Sequence, residues 1–492
     1  MALTAADALK WTNLLYERLN LRRPEIDTFE QYFKGRRGRL AYGTKEWADL
    51  HQKRFMNFSD NWCGVVGSAP GERTSIDGFR LGDDNDPMSG DERDLWRDWE
   101  LNEMPMQASQ GFLQSTIAKR SYVMVWGNSD DEPLVTWEHP AQVIVAYDPE
   151  TRAPRYALKA WIDDDYEYGT LYTPDQVWKW RRNQVAGEVI NGQTKSGLFV
   201  VGKEFAPYGG WEPRDTEVTG DDTWPIENPM GIVPIVEFPN RPVLGNEPLS
   251  DISGAIAMQD AVNLLWAYLF VAADYASMPA RVVMGQEPPK LPILDEQGQK
   301  IGEQPVDQEA LKKGRLLWLT GQNAKIGQWD PARLDPFTSV INVAVKHIAS
   351  QTRTPIHYIV GDLGNVNGET LTATETPLAM KVRESHKFYT PAVRGVFRRI
   401  ALVRGDIDVA EGCRTGRVQW ANPETRSEAQ LADAALKDRS VGFPLQWVAE
   451  KRYGLKQDEI DRLMTMVEQE RSDPVLEQAL RDVGTTADAG VS

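Results

Sequence analysis

The chain has 492 residues, with 55 Lys and Arg against 72 Asp and Glu, for a formal net charge of −17. Hydrophobic residues make up 41% and charged residues 26%, a globular mixture that excludes disorder as a class and, at roughly 150 residues per domain, allows about three cores. A pI near 5.0 argues against wrapping nucleic acid on a uniformly basic surface, and two cysteines, Cys63 and Cys413, cannot build a disulfide scaffold or a structural zinc site.

The first residues, MALTAADALKWTNLLYERL, lack a basic segment followed by an apolar core and a cleavage site, so they read as mature sequence. Apolar spacing predicts an amphipathic helix over Leu3–Leu19 and another over Glu46–Val66. The Gly- and Arg-rich stretch Glu30–Leu40 reads as a turn between them. From Asp77 to Glu103 acids outnumber bases, which predicts a solvated helix face or loop. Between Tyr122 and Trp180 short runs rich in Val, Ile, Tyr and Trp are bounded by Pro, Gly, Asn and Asp, and these predict meander strands. Ala206–Met230 is a polar stretch whose length suggests an insertion or contact loop.

After a strand, Ser250 or Asp251 is positioned to cap a helix running to Ser277, about 40 Å long at 1.5 Å per residue. Few polar faces remain on it, so it is expected to be mostly buried. Its most apolar run, Ala261–Ala273, is shorter than the roughly 18 to 20 residues of a membrane span, which implies a soluble protein. Pro279–Arg333 reads as a compact insert with strands at Arg281–Met284 and Gly314–Thr320. A helix follows over Pro336–Arg353, with Val340, Val343, Ala344 and Ile348 expected on one side. A Gly- and Asn-containing loop leads to a helix from about Glu375–Pro377 to Arg404, where interior Pro391 predicts a kink or break. A strand is expected at Arg417–Trp420, then a helix ending at Gly442, then helices at Pro444–Tyr453 and Gln457–Arg471.

No HExxH, paired CxxC or GxSxG motif occurs, so zinc-hydrolase, redox and nucleophile-elbow signatures are absent. The phosphate-loop lookalike Gly361–Thr370, GDLGNVNGET, carries Glu369 where a Lys must reach the phosphates, which argues against nucleotide hydrolysis. Asp163–Asp165 reads as a turn, because consecutive strand residues point to opposite faces and cannot converge on one ion. His347 and His357 make a weak pair, and Cys63 near His51 reads as a buried small hydrophobe. No catalytic residue, metal ligand or cofactor is expected. The 17 Trp fill cores and subunit contacts on the plain reading; sugar platforms are the other. Charge is unevenly spread: Ala373–Arg404 has seven bases and two acids, whereas Pro279–Arg333 has eight and seven, with Lys312, Lys313 and Arg315 clustered. The first excess suits either a polyanion or acids elsewhere on the chain or a neighbour.

The order of parts resembles a known family. A strand, RPVLGNEPLSDI, a long apolar helix containing QDAVN, then MPARVVMG, an insert, TRTPIHYIVGDLGNVNGETL and the TPLAMKVRESHKFY helix follow one another as in the portal proteins of tailed bacteriophages, specifically the long-tailed siphophage class. The stretch VQWANPETRSEAQLADAALK is also similar to that class, and the likeness is clearest from Phe238 to Arg404.

The resemblance implies an α+β portal fold assembling as a ring of about twelve copies around a double-stranded DNA channel. It implies an α/β wing at 1–250, a stem helix at 251–278 and a small α/β clip at 279–334. A second stem helix at 335–356, a tunnel loop at 357–372, a kinked tunnel/wing helix with a wing strand at 373–422 and a helical crown and tail at 423–492 would complete the chain. Gly361, Gly364, Asn365, Asn367, Gly368 and Thr370 would be the DNA-facing loop, and Lys381, Arg383 and Lys387 the tunnel-helix bases. Lys312, Lys313 and Arg315 would dock partners. Those partners would be the terminase, a head–tail adaptor, and major capsid or scaffolding protein, at a virion vertex after assembly in host cytoplasm, without membrane. Portals are not enzymes, and the ATPase would be a separate motor. The competing readings are a Trp-rich carbohydrate-active enzyme and another multi-copy virion component.

Overall fold

The computed structural model describes residues 3–36, 40–41, 43–45, 54–82, 88–128, 132–163, 166–183, 210–214, 224–277, 281–284, 290–294, 299–305, 316–319, 325–328, 333–361, 368–424, 428–455 and 457–472. Contacts group them into two units. One comprises Met1–Lys34, Cys63–Gly254 and Thr352–Ser492; the other comprises Gly35–Trp62 and Ala255–Gln351.

In the first unit, helix α1 runs from Ala5 to Phe33, past the expected end at Leu19. Thr4 caps it by accepting a hydrogen bond from the Asp7 amide, and interior Pro24 does not end it. Buried packing on both sides of the proline, from Leu15 and Leu19 to Ile26 and Phe29, outweighs the lost hydrogen bond. Helix α2 occupies Trp62–Gly71; of the helix expected over Glu46–Val66, residues 46–53 lie outside the described residues and 54–61 are turn and extended chain. Strand β1, Ile76–Arg80, and helices α3, Gly90–Leu101, and α4, Met104–Ala118, come next.

The acid-rich stretch is only partly solvated. Glu92, capping α3 reciprocally with Ser89, and Asp98 are 2% and 3% exposed. Glu92 pairs with buried Arg80 at 3.3 Å and accepts the Leu81, Gly82 and Ser89 amides. Burial works against its charge, but those amides and Arg80 hold its carboxyl below the ordinary value. Charge runs read as solvated faces fail where arginines, near or far in the chain, bury the acids with them.

The expected meander is present. Strands β2 (Arg120–Gly127), β3 (Pro133–Glu138), β4 (Val143–Tyr147), β5 (Pro154–Asp163), β6 (Tyr166–Tyr172) and β7 (Gln176–Asn183) follow in turn. The short β8, Glu212–Pro213, and β9, Ile226–Glu227, both pair with β7. Strand β10, Ile235–Pro239, joins β2 and β3 in an antiparallel sheet ordered β10-β2-β3, while β4 to β8 form the larger sheet. Helix α1 lays Ala8, Leu15, Tyr16 and Leu19 against Ile144, Leu158, Leu171, Trp178 and Trp180 of that sheet. Arg182 is clamped there between the rings of Tyr16 and Trp211, at 4.3 and 4.1 Å, and pairs with buried Glu167.

In the second unit, α5 spans Ile256–Ser277. It begins five residues after Asp251, because Ser250 and Asp251 are buried and bonded elsewhere instead of capping it. Asp60–Trp62 bind its polar groups: the Asp60 and Trp62 amides donate to Asn263 and Gln259 at 2.9 and 2.8 Å, and Trp266 donates to Asp60 at 2.8 Å. Ile256–Asp274 is long and apolar enough to cross a membrane by length and composition, a stretch longer than the run Ala261–Ala273. Only a third of that window is buried, so the expectation of a mostly buried helix does not hold within one subunit. The insert contains β11 (Arg281–Met284), β12 (Lys290–Leu294), β13 (Lys300–Pro305), β14 (Leu316–Leu319) and β15 (Lys325–Gln328). The two strands expected there, β11 and β14, pair in parallel, β15 joins β11 antiparallel, and β12 and β13 form a hairpin. Helix α6, Asp335–Thr352, buries Ile341, Ala344, Val345 and Ile348. Val340 and Val343 are 52% and 54% exposed, so its apolar residues occupy two faces rather than one.

The first unit resumes with the single turn α7, Ile356–Val360, and the 36-residue α8, Gly368–Val403. Helix α8 begins before Glu375 and is not broken at Pro391. Tyr389, Ala392, Val393, Val396, Phe397 and Ile400 flank that proline in the main core with Phe79, Trp99, Phe112 and Phe238, and this packing holds the helix through it. Helix α9, Ile407–Gly412, leads to β16, Arg417–Trp420, which pairs antiparallel with β1. Helices α10 (Glu428–Val441), α11 (Leu445–Lys451) and α12 (Gln457–Ser472) fall where expected. The fold is mixed helix and sheet throughout, as the α+β expectation required.

Candidate functional site

The segment joining α7 to α8 is the candidate site, built from its two ends. Gly361 ends α7 at φ +69, a conformation glycine adopts without Cβ strain, and its amide donates to His357 O at 3.0 Å. Helix α8 opens at Gly368, and Thr370 in its first turn is exposed. Of the expected loop residues, Gly364, Asn365 and Asn367 lie outside the described residues. Within 357–372 the described residues are helical except Gly361.

One guanidinium serves both ends. Arg73, from the turn after α2, lies 3.2 Å from Glu375 on α8 and donates to the Tyr358 hydroxyl on α7. It also donates to Pro423 O at 3.0 Å. His357 Nε2 stands 3.4 Å from the other oxygen of Glu375. These side chains are only 11–14% exposed, so solvent screens the pairs less than at an open surface. The flanks of the segment are therefore fixed to one point. Nothing in the sequence marks Arg73 as that point, because its partners lie 285 residues or more further along the chain.

The expected tunnel-helix bases divide. Lys381 is 5% exposed, with its amine 3.0 Å from Asp251 and donating to Thr352 O at 3.1 Å. Asp251 in turn accepts from Asn240 at 3.0 Å, and Asn240 accepts from the Tyr389 hydroxyl. Lys381 is thus a structural cation inside the subunit and presents no charge at the surface. Arg383 is exposed and pairs with Glu424, while Lys387 is exposed without an ion pair among the described residues. Arg404 pairs with Asp98. Three of the seven bases on 373–404 are therefore answered by a carboxylate within the chain. Lys312, Lys313 and Arg315 lie outside the described residues.

His386 lies on the same helix, stacked on Trp420 with ring centres 4.4 Å apart. Burial first, and the Arg383 charge second, push its imidazole down to about 4 from 6.5. The folded protein keeps it neutral where the unfolded chain binds a proton, so its contribution to stability is lost as pH falls from 6.5 towards 4. His386→Gln should therefore flatten the loss of urea midpoint across that pH window relative to the parent chain. An unchanged slope would show that His386 does not titrate in this way.

Other sequence candidates dissolve on inspection. Trp99, Trp178, Trp180 and Trp211 are buried and pack on other aromatics or Arg182, so their faces cannot stack on a sugar. Among the described residues no group of three or more His, Cys, Asp or Glu is placed to hold a metal. Both cysteines are buried and neither forms a disulfide.

Comparison with known proteins bears on the whole chain. The family model described as phage portal protein, SPP1 Gp6-like, matches residues 14–471. The portal protein of Mycobacterium phage D29 is 24% identical over 380 residues, covering 74% of this chain and 69% of that protein. The portal protein of Mycobacterium phage L5 is 23% identical with the same coverage.

Proposed function

The chain belongs to the SPP1 Gp6-like family of phage portal proteins, and from that premise we propose that its copies close into a ring of about twelve around a DNA channel at one capsid vertex. Genome packaging and ejection pass through that ring, which docks the terminase motor, the head–tail adaptor and the capsid or scaffolding protein. The observation that carries this reading is the family match along residues 14–471. The open faces of the second unit support the ring: α5 leaves two-thirds of its most apolar window unburied, and Val340, Val343 and Phe270 are exposed. Apolar helix faces of this kind call for a neighbouring copy.

In this assignment α5 and α6 form the stem and the insert between them the clip, while the first unit supplies wing and crown. The segment after Gly361 faces the channel, with Lys387 and Arg383 as the exposed bases of the helix beyond. An acidic protein suits this task, since phosphate–base attraction would hold DNA that has to slide. The role is structural, with the energy supplied by a separate motor.

Native mass spectrometry or negative-stain microscopy of the purified chain tests the ring. Closed rings with an open centre are expected, and a monodisperse monomer under all assembly conditions overturns the reading. Reversing Lys312, Lys313 and Arg315 to Glu should weaken terminase or adaptor docking by at least about tenfold while rings still form, as expected for lost charge-assisted contacts. Wild-type affinity would show those bases to be solvated surface.

A further inference from the structure

A cavity of about 450 Å3 lies in the first unit between the middle of α8, strand β10 and the turn after α9. Four arginines line it: Arg394, Arg398, Arg399 and Arg414. Their partners are few. Arg394 donates to Gly416 O at 2.6 Å, and Arg399 donates to Val233 O and Gly395 O, both at 2.8 Å. Neither meets a carboxylate among the described residues. Arg414 pairs with Glu411, but both side chains are more than half exposed, so water screens that pair. Arg398 is half-buried, and its Nε is closed to solvent without a hydrogen-bond partner.

The cavity's own acid is already used. Glu237 lies 3.0 Å from Arg120 with one oxygen and accepts the Tyr147 hydroxyl at 2.6 Å with the other. The nearby Cys413 thiol cannot supply a negative charge either, because burial pushes it up to about 12 although Arg398 works the other way. Repulsion is felt inside the group: burial, with Arg398 beside it, brings Arg399 down to about 10. A guanidinium nitrogen closed to solvent without a partner, as Arg398 Nε is, carries a desolvation cost that an anion would offset.

We propose that this cavity is a phosphate-binding site, formed within one subunit by Arg398 with Arg394, Arg399 and Arg414. Planar guanidinium forks match the oxygens of a tetrahedral anion bidentately, and a phosphate carries enough charge to offset several of them where one carboxylate does not. Gly395 keeps the floor open, since a Cβ there would stand 3.3 Å from Arg399 Nη1. The phosphate is either a free ion or part of a nucleic-acid backbone, and the site goes beyond the channel reading because it needs no neighbouring copy.

The test uses the full chain, with inorganic phosphate as probe and chloride at matched ionic strength as reference. Phosphate should raise the melting temperature above the chloride value and give a saturable calorimetric isotherm. Arg398→Gln should weaken phosphate binding by about tenfold, the effect of one lost charge-assisted bond. That variant should also melt no lower than the parent in chloride, because it removes a half-buried guanidinium whose Nε has no partner. Arg414→Gln should weaken phosphate binding while leaving the other three arginines untouched. A short DNA duplex that displaces phosphate from the parent chain identifies the backbone as the source, and one that leaves the isotherm unchanged identifies the free ion; either supports the site. Equal stabilisation by phosphate and chloride, equal binding of acetate, or parent-like phosphate affinity in Arg398→Gln overturns it.

Discussion

Lys381→Met should lower the stability of the subunit by about 3–5 kcal/mol, the usual cost of removing one partner from a buried ion pair. Asp251 has no exposed side-chain surface, so the carboxylate left behind would lose its nearest cation and have no solvent to replace it. Its remaining support is the Asn240 amide at 3.0 Å and Arg241 at 3.6 Å. Lys381 also donates to the last residue of α6, so its removal frees Thr352 O at the point where the chain turns towards α7. The double replacement Lys381→Met with Asp251→Leu should recover most of the loss, because two apolar groups of similar volume leave no orphaned charge. Urea denaturation of the single and double variants measures this directly. If Lys381 instead faced DNA, the single variant would keep its stability and change only DNA passage.

Deletion of Gly364–Gly368 should leave ring formation intact while DNase-protected genomes per particle fall by at least about tenfold, as loss of about 1.4 kcal/mol at a gating contact would give. The two outcomes separate because the flanks are fixed independently of the loop. Arg73 holds Tyr358 on one side and Glu375 on the other, and Gly361 closes α7 through its own backbone. Shortening the intervening chain leaves those contacts and the open faces of α5 and α6 in place. Particles with normal genome content would remove the loop from the channel. Loss of rings would show instead that the segment holds neighbouring copies together.

What the sequence disclosed and what it hid divide along chain distance. The meander strands, β16, and the three last helices are written in local alternation and turn residues, and they fall close to their expected bounds. Helix ends set by distant packing do not. Leu3–Leu19 extends to Phe33 because residues after Pro24 pack on the first unit's core, and α5 starts late because Asp251 is claimed by Lys381. Charge misled where arginines bury the acids, only partly through chain distance. Glu92 and Asp98 look like surface acids until Arg80 and Arg404 are seen beside them, and Arg404 lies 306 residues from Asp98. At the candidate site, the family likeness drew attention to the stretch from Gly361 to Thr370, whereas the helix end at Gly361 and the role of Arg73 carry no local mark. The family likeness succeeded where pairings could not, because it rests on the order of elements.

The pairing of β1 with β16 has a consequence for biosynthesis. Ile76–Arg80 leaves the ribosome about 340 residues before Arg417–Trp420, a delay of roughly twenty seconds to a minute at common translation rates. Phe79 meets Phe397 ring to ring at 4.1 Å, so the main core also waits for the far end of α8. Until then, the nascent chain exposes an edge strand and half an aromatic core, the form most prone to aggregation. Completion of the core thus acts as a length check: a prematurely terminated chain cannot finish its first unit.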